Sequence, residues 1–372
     1  MPNRVLQFGT SRFLQAHADL FIDQARQSGQ DIGPIAVVKT TPGHERAERV
    51  QAIADPAGFA VLIRGYQNGV AVNTELRVKS VTRALDANRD WSQLCEIFAQ
   101  ETEVVICNTG ETGFALTPAD HHTPLPGAVP AGFPAKLLQL LIYRYANGAA
   151  PLLILPCELI SNNGQALRKI LESLSADWTL APGFARWLRQ SVTLCDTLVD
   201  RIVSQALEPV GAIAEPYGLW AIRREPGMAE PFQHQNVTYT DDLTPFLRLK
   251  LHILNLGHTW LADVWLRGGR GAQETVRAIL SDPHIRDGLQ SLYRDEVIPG
   301  FAAMGMEKAA TVYVTQTMER FDNPYLDHKV ADIAQNHAVK ITNRVRAFED
   351  WLNSVDPSIA LPRLALIGQA SG

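Results

Sequence analysis

Four short runs in the first 155 residues limit what this chain can fold into. Arg4–Phe8 reads as a short strand, and Ile35–Val38, Val104–Cys107 and Leu152–Leu155 are continuously apolar, the mark of strands buried on both faces. Helical patterns over Leu14–Gln27, Trp91–Gln100 and Lys136–Tyr145 separate them. Strand and helix alternating in this way predict an α/β fold, a doubly wound parallel sheet. Phe59–Val72 interrupts the alternation with a hairpin, turned on Asn68-Gly69, whose residues accept positive φ.

Such sheets bind ligands beyond the carboxyl ends of their strands. The first strand ends in Gly9-Thr10-Ser11-Arg12-Phe13 and opens a helix, so backbone N–H groups there can hold a pyrophosphate. Ser11 stands where a second glycine is usual, which leaves this turn a weak signal by itself. Lys39, not an acidic residue, ends the second strand; it would draw a 2′-phosphate, or it is a solvated loop lysine. The third buried run ends in Asn108-Thr109-Gly110-Glu111, also well placed for a cofactor. Glu111 is either a proton relay or a solvated carboxylate.

Beyond residue 240 the pattern becomes helical, with Ala272–Leu280, Ile285–Val297, Pro299–Met306, Thr311–Glu319 and Lys329–Leu352. The expected division is a dinucleotide-binding domain over 1–240 and a mainly α-helical domain over 241–372. The stretch Lys250–Leu261 introduces the second domain and has no clean polar face, so it reads as a buried helix. At 100° per residue Lys250, His258 and Asn255 fall within an arc of about 140°, among leucines and Trp265. A buried lysine must be paired, hydrogen-bonded or neutral, and a neutral one is a general base. Each of the three taken alone reads first as a satisfied structural residue.

Composition excludes several classes. A net charge of −5 without a basic block argues against nucleic acid as partner. No apolar run reaches the length of a membrane span, and the start of the chain lacks the apolar core of a secretory signal. Four cysteines without a C-x-x-C pair suit a reducing, cytoplasmic setting. His121 and His122 are adjacent and point apart, so no metal site is expected.

The spacing Lys250-x4-Asn255-x2-His258 resembles the signature of the polyol-specific long-chain dehydrogenases, the mannitol dehydrogenase family. The resemblance recurs in order along the chain. Gly9, Phe13, Ala16 and His17 match the family's first turn, where Ser11 and Gln15 depart; Glu111 and Gly113 match its Thr-Glu-x-Gly loop. Asn163-Gly164, Val199-Asp200-Arg201-Ile202, Asp241-Asp242 with Pro245, and Arg320-Phe321-Asp322-Asn323-Pro324 match further blocks. Pro156-Cys157-Glu158-Leu159-Ile160 is similar to the branch that acts on tagaturonate. The chain is shorter than typical members, which implies trimmed loops.

The resemblance implies a Rossmann-like domain followed by a helical domain of the 6-phosphogluconate dehydrogenase type. It implies zinc-independent hydride transfer between NAD, with NADP possible, and a secondary alcohol on an open-chain sugar acid or polyol. Tagaturonate/altronate is the first substrate pair; a mannitol- or fructuronate-type substrate is the second. Lys250 would exchange the hydroxyl proton, Asn163 and Asn255 would donate to the alkoxide, and His258 would orient substrate or lysine. Gly9, Ser11, Phe13, Lys39, Asn108, Thr109, Glu111 and Asp200 would serve the cofactor; Arg201, Arg320 and His328 would grip the substrate. The partner is then a small molecule, with no nucleic acid or membrane, and the protein a monomer or small homo-oligomer. A nucleotide-binding sensor that has lost activity is the non-catalytic alternative.

Overall fold

A computed structural model describes residues 4–41, 43, 47–110, 113–125, 127–326 and 328–369. The strands in chain order are β1 Val5–Phe8, β2 Ile35–Lys39, β3 Phe59–Gln67, β4 Val70–Val78, β5 Val81–Asp86, β6 Val104–Cys107 and β7 Leu152–Pro156. They continue with β8 Val192–Leu194, β9 Thr197–Asp200, β10 Val203–Ala206, β11 Gly211–Ala214, β12 Leu219–Arg223 and β13 Val237–Thr240. The chain divides into two compact units. The first comprises 1–62, 75–214 and 218–243; the second comprises 63–74, 215–217 and 244–372.

The first unit is built on a parallel sheet of order β5-β2-β1-β6-β7-β8. Order reverses between β1 and β6, so a crevice opens at their carboxyl ends. Leu6, Phe8, Val38, Val105 and Ile154 of the sheet pack with Leu94, Phe98, Leu137, Leu141 and Leu171 of the helices into one core. Val81–Asp86, next in the chain after the hairpin, is the edge strand beside β2. That pairing is long-range, and no local pattern announces it. A smaller sheet, β13-β12-β9, completes the unit. The Asn68-Gly69 turn has the expected positive φ values of 53° and 76°.

The second unit is helical, packed around Ile253, Leu256, Leu261, Leu289, Tyr293, Phe301 and Phe348. Its first helix runs over 244–267 and widens into a π-helical turn at Lys250–Asn255. The helices expected on either side of Pro299 form one run over 283–303, with a widened turn at Tyr293–Val297 just before the proline. A loosened turn tolerates the missing N–H better than a regular one does. Among the described residues no helix is long and apolar enough to cross a membrane.

Candidate functional site

The first group of candidates lies at the crevice of the parallel sheet. Gly9 follows β1 with φ +117°, and a Cβ there would lie 2.6 Å from the Asn108 carbonyl oxygen, so glycine is required by both conformation and space. Ser11 caps the following helix, its Oγ accepting from Leu14 N–H at 3.3 Å. The second glycine of a dinucleotide turn is thus replaced by a residue that satisfies the helix itself. Asn108 donates through Nδ2 to Cys157 O at 2.6 Å, and Thr109 donates through N and Oγ1 to Glu158 Oε1 at 3.0 and 3.1 Å. Glu158 is buried at the end of β7, and burial raises its carboxyl above the usual range. It fixes the Asn108–Thr109 loop, a role that sequence reasoning missed; its only sequence trace was the Pro-Cys-Glu run. Glu111 lies outside the described residues.

Phe13 stacks on His17, with ring centroids 4.8 Å apart. His17 is buried between Phe13, Phe21 and Trp220, and its Nε2 lies 3.1 Å from Leu219 O. Burial lowers its pKa from 6.5 to about 3, so it is neutral and structural at ordinary pH. The sign follows: between pH 6.5 and 3 the unfolded chain takes up a proton that folded His17 refuses, so stability falls on acidification. The slope from this one group approaches about 1.4 kcal/mol per pH unit. His17→Phe is expected to flatten the acid limb of a denaturant-midpoint profile, and an unchanged limb would contradict this.

Two expectations in this unit need correction. Lys39 is buried, and Nζ donates to Thr41 O (2.7 Å), Gly43 O (2.8 Å) and Asp86 Oδ2 (3.0 Å). Its three hydrogens are used and its charge is matched, so it offers nothing to a 2′-phosphate. Asn163, the first residue of the helix Asn163–Asp177, is likewise spent. Its Nδ2 lies within 3.0–3.1 Å of the carbonyls of Pro156, Glu158 and Thr197. Its Oδ1 accepts from Gly164 N and Thr197 N, both at 2.9 Å. An amide with two hydrogens and that many acceptors clamps the end of β7 to β9, and the alkoxide donation expected of Asn163 has no hydrogen left to make it. Asp200 ends β9 and Arg201 follows it, both buried, with Arg201 Nη1 donating to Ala16 O at 2.6 Å and its guanidinium 5.5 Å from the centre of the Phe21 ring.

The second group lies within the helical unit. In the widened turn at Lys250–Asn255, Leu256 N–H reaches back five residues to Leu251 O. Winding of this kind carries a residue five positions on to nearly the same face, where a regular helix would leave it about 140° away. The turn therefore draws Asn255 round toward Lys250, and His258, three further on in regular helix, follows on the same side. Carbonyls of this helix also accept from side chains. Ile253 O accepts from Tyr293 Oη at 2.9 Å, and Asn255 O accepts from Thr259 Oγ1 at 2.9 Å and Arg344 Nη1 at 3.3 Å. Gly257 makes the first of these possible, because a Cβ there would sit 1.9 Å from the Tyr293 hydroxyl.

Lys250 and Asn255 are half-buried, not enclosed as a helix apolar all round suggested, and His258 is buried. The Asn255 side-chain amide makes no hydrogen bond to a described residue. The His258 ring lies 4.7 Å from Phe321 and meets His328 edge-on at 4.9 Å. Burial lowers the His328 pKa, with Asp332 opposing and Lys340 and Arg320 assisting. Lys250, Asn255 and His258 thus follow one another along one helix, and His328 meets the last of them.

Arg320 needs the third correction. It is buried, and its Nε and Nη2 form a fork with Glu215, at 3.0 Å to Oε2 and 2.9 Å to Oε1. Its guanidinium also lies over Tyr217, 4.4 Å from the ring centre. The grip expected on a substrate carboxylate is already taken by an internal one, contributed from 105 residues away, where no sequence signal points.

Residues 3–233 match the mannitol dehydrogenase Rossmann domain, and residues 242–365 match the mannitol dehydrogenase C-terminal domain. Altronate oxidoreductase of Bacillus subtilis (strain 168) is 30% identical over 369 residues, covering 92% of this chain and 74% of that protein. The Klebsiella pneumoniae (strain 342) altronate oxidoreductase is 31% identical, with the same coverage of 92% and 74%. Among solved structures, substrate-free D-sorbitol dehydrogenase superposes with a TM-score of 0.81 at 18% identity, over 98% of this chain and 79% of its own. Pseudomonas fluorescens mannitol 2-dehydrogenase, in ternary complex with NAD and D-mannitol, gives 0.73 at 17% identity, over 99% and 78%.

Proposed function

This chain belongs to the mannitol dehydrogenase family, and from that premise we propose that it is an NAD-dependent oxidoreductase of open-chain sugar acids, interconverting tagaturonate and altronate. The observation that carries the reading is the Lys250, Asn255 and His258 face, assembled by the widened turn of the first helix in the second unit. The four cysteines are buried and free, which supports a reducing, cytoplasmic setting.

A nicotinamide cofactor held at this sheet would supply the hydride for reduction and take it up in oxidation. Gly9 suits such a cofactor as the tight turn between β1 and the following helix, its missing Cβ making room for the Asn108 carbonyl. The Asn108–Thr109 loop, held by Glu158, borders the same sheet crevice. In oxidation Lys250 Nζ takes the hydroxyl proton of the reacting carbon; in reduction it returns that proton. Asn255 Nδ2 donates to the oxygen as charge develops there, and one such donor contributes roughly 10²–10³ in rate. His258, held against Phe321 and His328, orients the substrate.

The test is NADH oxidation by purified protein with tagaturonate, fructuronate and fructose as separate substrates. Turnover concentrated on tagaturonate supports the reading. Preference for fructose moves the chain to the neutral-polyol branch, and NADH binding with no turnover of any of them supports the sensor. NADH is expected to exceed NADPH in kcat/KM by roughly tenfold or more, since Lys39, spent on Thr41, Gly43 and Asp86, has no hydrogen left for a 2′-phosphate. Equal use of the two would overturn that preference.

A further inference from the structure

Lys340 and Arg344 stand four residues apart on the helical run over 337–353. Both are half-buried. Arg344 is seated against the helix that carries Lys250. Its Nη1 donates to Asn255 O at 3.3 Å and to Thr259 Oγ1 at 3.2 Å. Its other edge, Nε and Nη2, has no acceptor among the described residues. Lys340 spends one hydrogen on Ile333 O at 2.7 Å and has no other acceptor among them. Neither side chain pairs with a carboxylate there, while His328 feels the Lys340 charge.

Like charges one helical turn apart repel, and burial sharpens the cost. Burial and the Arg344 charge together lower the pKa of Lys340, and burial lowers that of Arg344, with no acidic group relieving either. The neighbouring cation, Arg320, is by contrast neutralised by Glu215. A planar guanidinium edge without an acceptor, beside a second cation, is the arrangement that receives a carboxylate in two parallel hydrogen bonds.

We infer that Lys340 and Arg344 form the subsite for the substrate carboxylate, with the Nε–Nη2 edge of Arg344 donating to it and Lys340 supplying the second charge. The inference rests on the sugar-acid reading above and deepens it. Arg344 touches the same turn as Asn255, so acid end and reacting oxygen are held from one piece of the helix. In a six-carbon open chain the carboxyl carbon and the reacting carbon are four bonds apart, a span close to one helical turn, ~5 Å. The residues so named are those that separate a sugar acid from a neutral ketose.

The experiment compares kcat/KM for tagaturonate and for tagatose, the same chain with a primary alcohol in place of the carboxylate. Arg344→Gln is expected to lower the acid-to-neutral ratio roughly 10- to 100-fold, mostly through KM. Lys340→Gln, at a more forgiving position, is expected to lower it by a smaller factor, and Arg344→Lys to recover part of the loss. A ratio unmoved in both glutamine variants overturns the subsite. A parent enzyme that prefers tagatose keeps the dehydrogenase chemistry and also overturns the subsite. A parent that reduces neither counts against the proposed reaction, and calorimetric titration with altronate then decides. Weaker altronate binding in Arg344→Gln upholds the subsite; equal binding, or none in the parent, overturns it.

Discussion

Lys250→Ala is expected to lower kcat by roughly 10²–10⁴-fold while leaving the NADH dissociation constant close to that of the parent. The loss belongs in kcat because proton exchange at the reacting oxygen occurs only as hydride moves. Cofactor affinity is expected to hold because the groups proposed to receive it, around Gly9 and the Asn108–Thr109 loop, belong to the other unit. Lys250 is half-buried at the start of the widened turn, and its truncation leaves the Ile253–Tyr293 and Asn255–Arg344 hydrogen bonds in place. A folded variant is therefore expected. Steady-state turnover beside a fluorescence titration of NADH makes the measurement. Turnover near the parental rate would remove Lys250 from the mechanism.

Glu215→Ala is expected to destabilise the helical unit by about 3–5 kcal/mol, the usual result of leaving one member of a buried ion pair without the other. Side-chain exposure is 4% for Arg320 and 1% for Glu215, so water cannot replace the lost carboxylate. The guanidinium would be left over the Tyr217 ring, with Tyr313 Oη 3.5 Å from Nη1. The companion variant Glu215→Leu/Arg320→Met removes both charges and is expected to regain much of the loss. The denaturant midpoints of the parent and the two variants provide the check. A midpoint unchanged in Glu215→Ala would mean that Arg320 finds another anion, and would reopen its role as a substrate grip.

Architecture was legible in the chain where the physics is local. Ile35–Val38 and Val104–Cys107 are apolar on both faces and became central strands of the parallel sheet, β2 and β6. Asn68-Gly69 took the positive φ angles that a tight hairpin needs. Lys250, Asn255 and His258 could be placed on one side of a helix by counting residues. Their convergence was underestimated, because a regular pitch was assumed where the chain widens by a residue. The donation from Tyr293 and Arg344 to carbonyls of this helix could not be read from the stretch itself.

The sequence by itself determined the kinds of chemistry present: a buried parallel sheet, a glycine turn at its crevice, and a lysine, an amide and an imidazole in one helical stretch. Only the tertiary structure decided which of the other polar groups remain available. Lys39, Asn163 and Arg320 have suitable side chains. Each is consumed by a partner distant in sequence: Asp86 at 47 residues, Thr197 at 34 and Glu215 at 105. Arg344 attracted no notice in sequence, yet among the described residues its second edge has no acceptor, beside Asn255. The reason is that a side chain's hydrogen-bonding capacity is finite and burial requires it to be filled. Which groups are filled from within the fold depends on neighbours that the order of residues does not bring together.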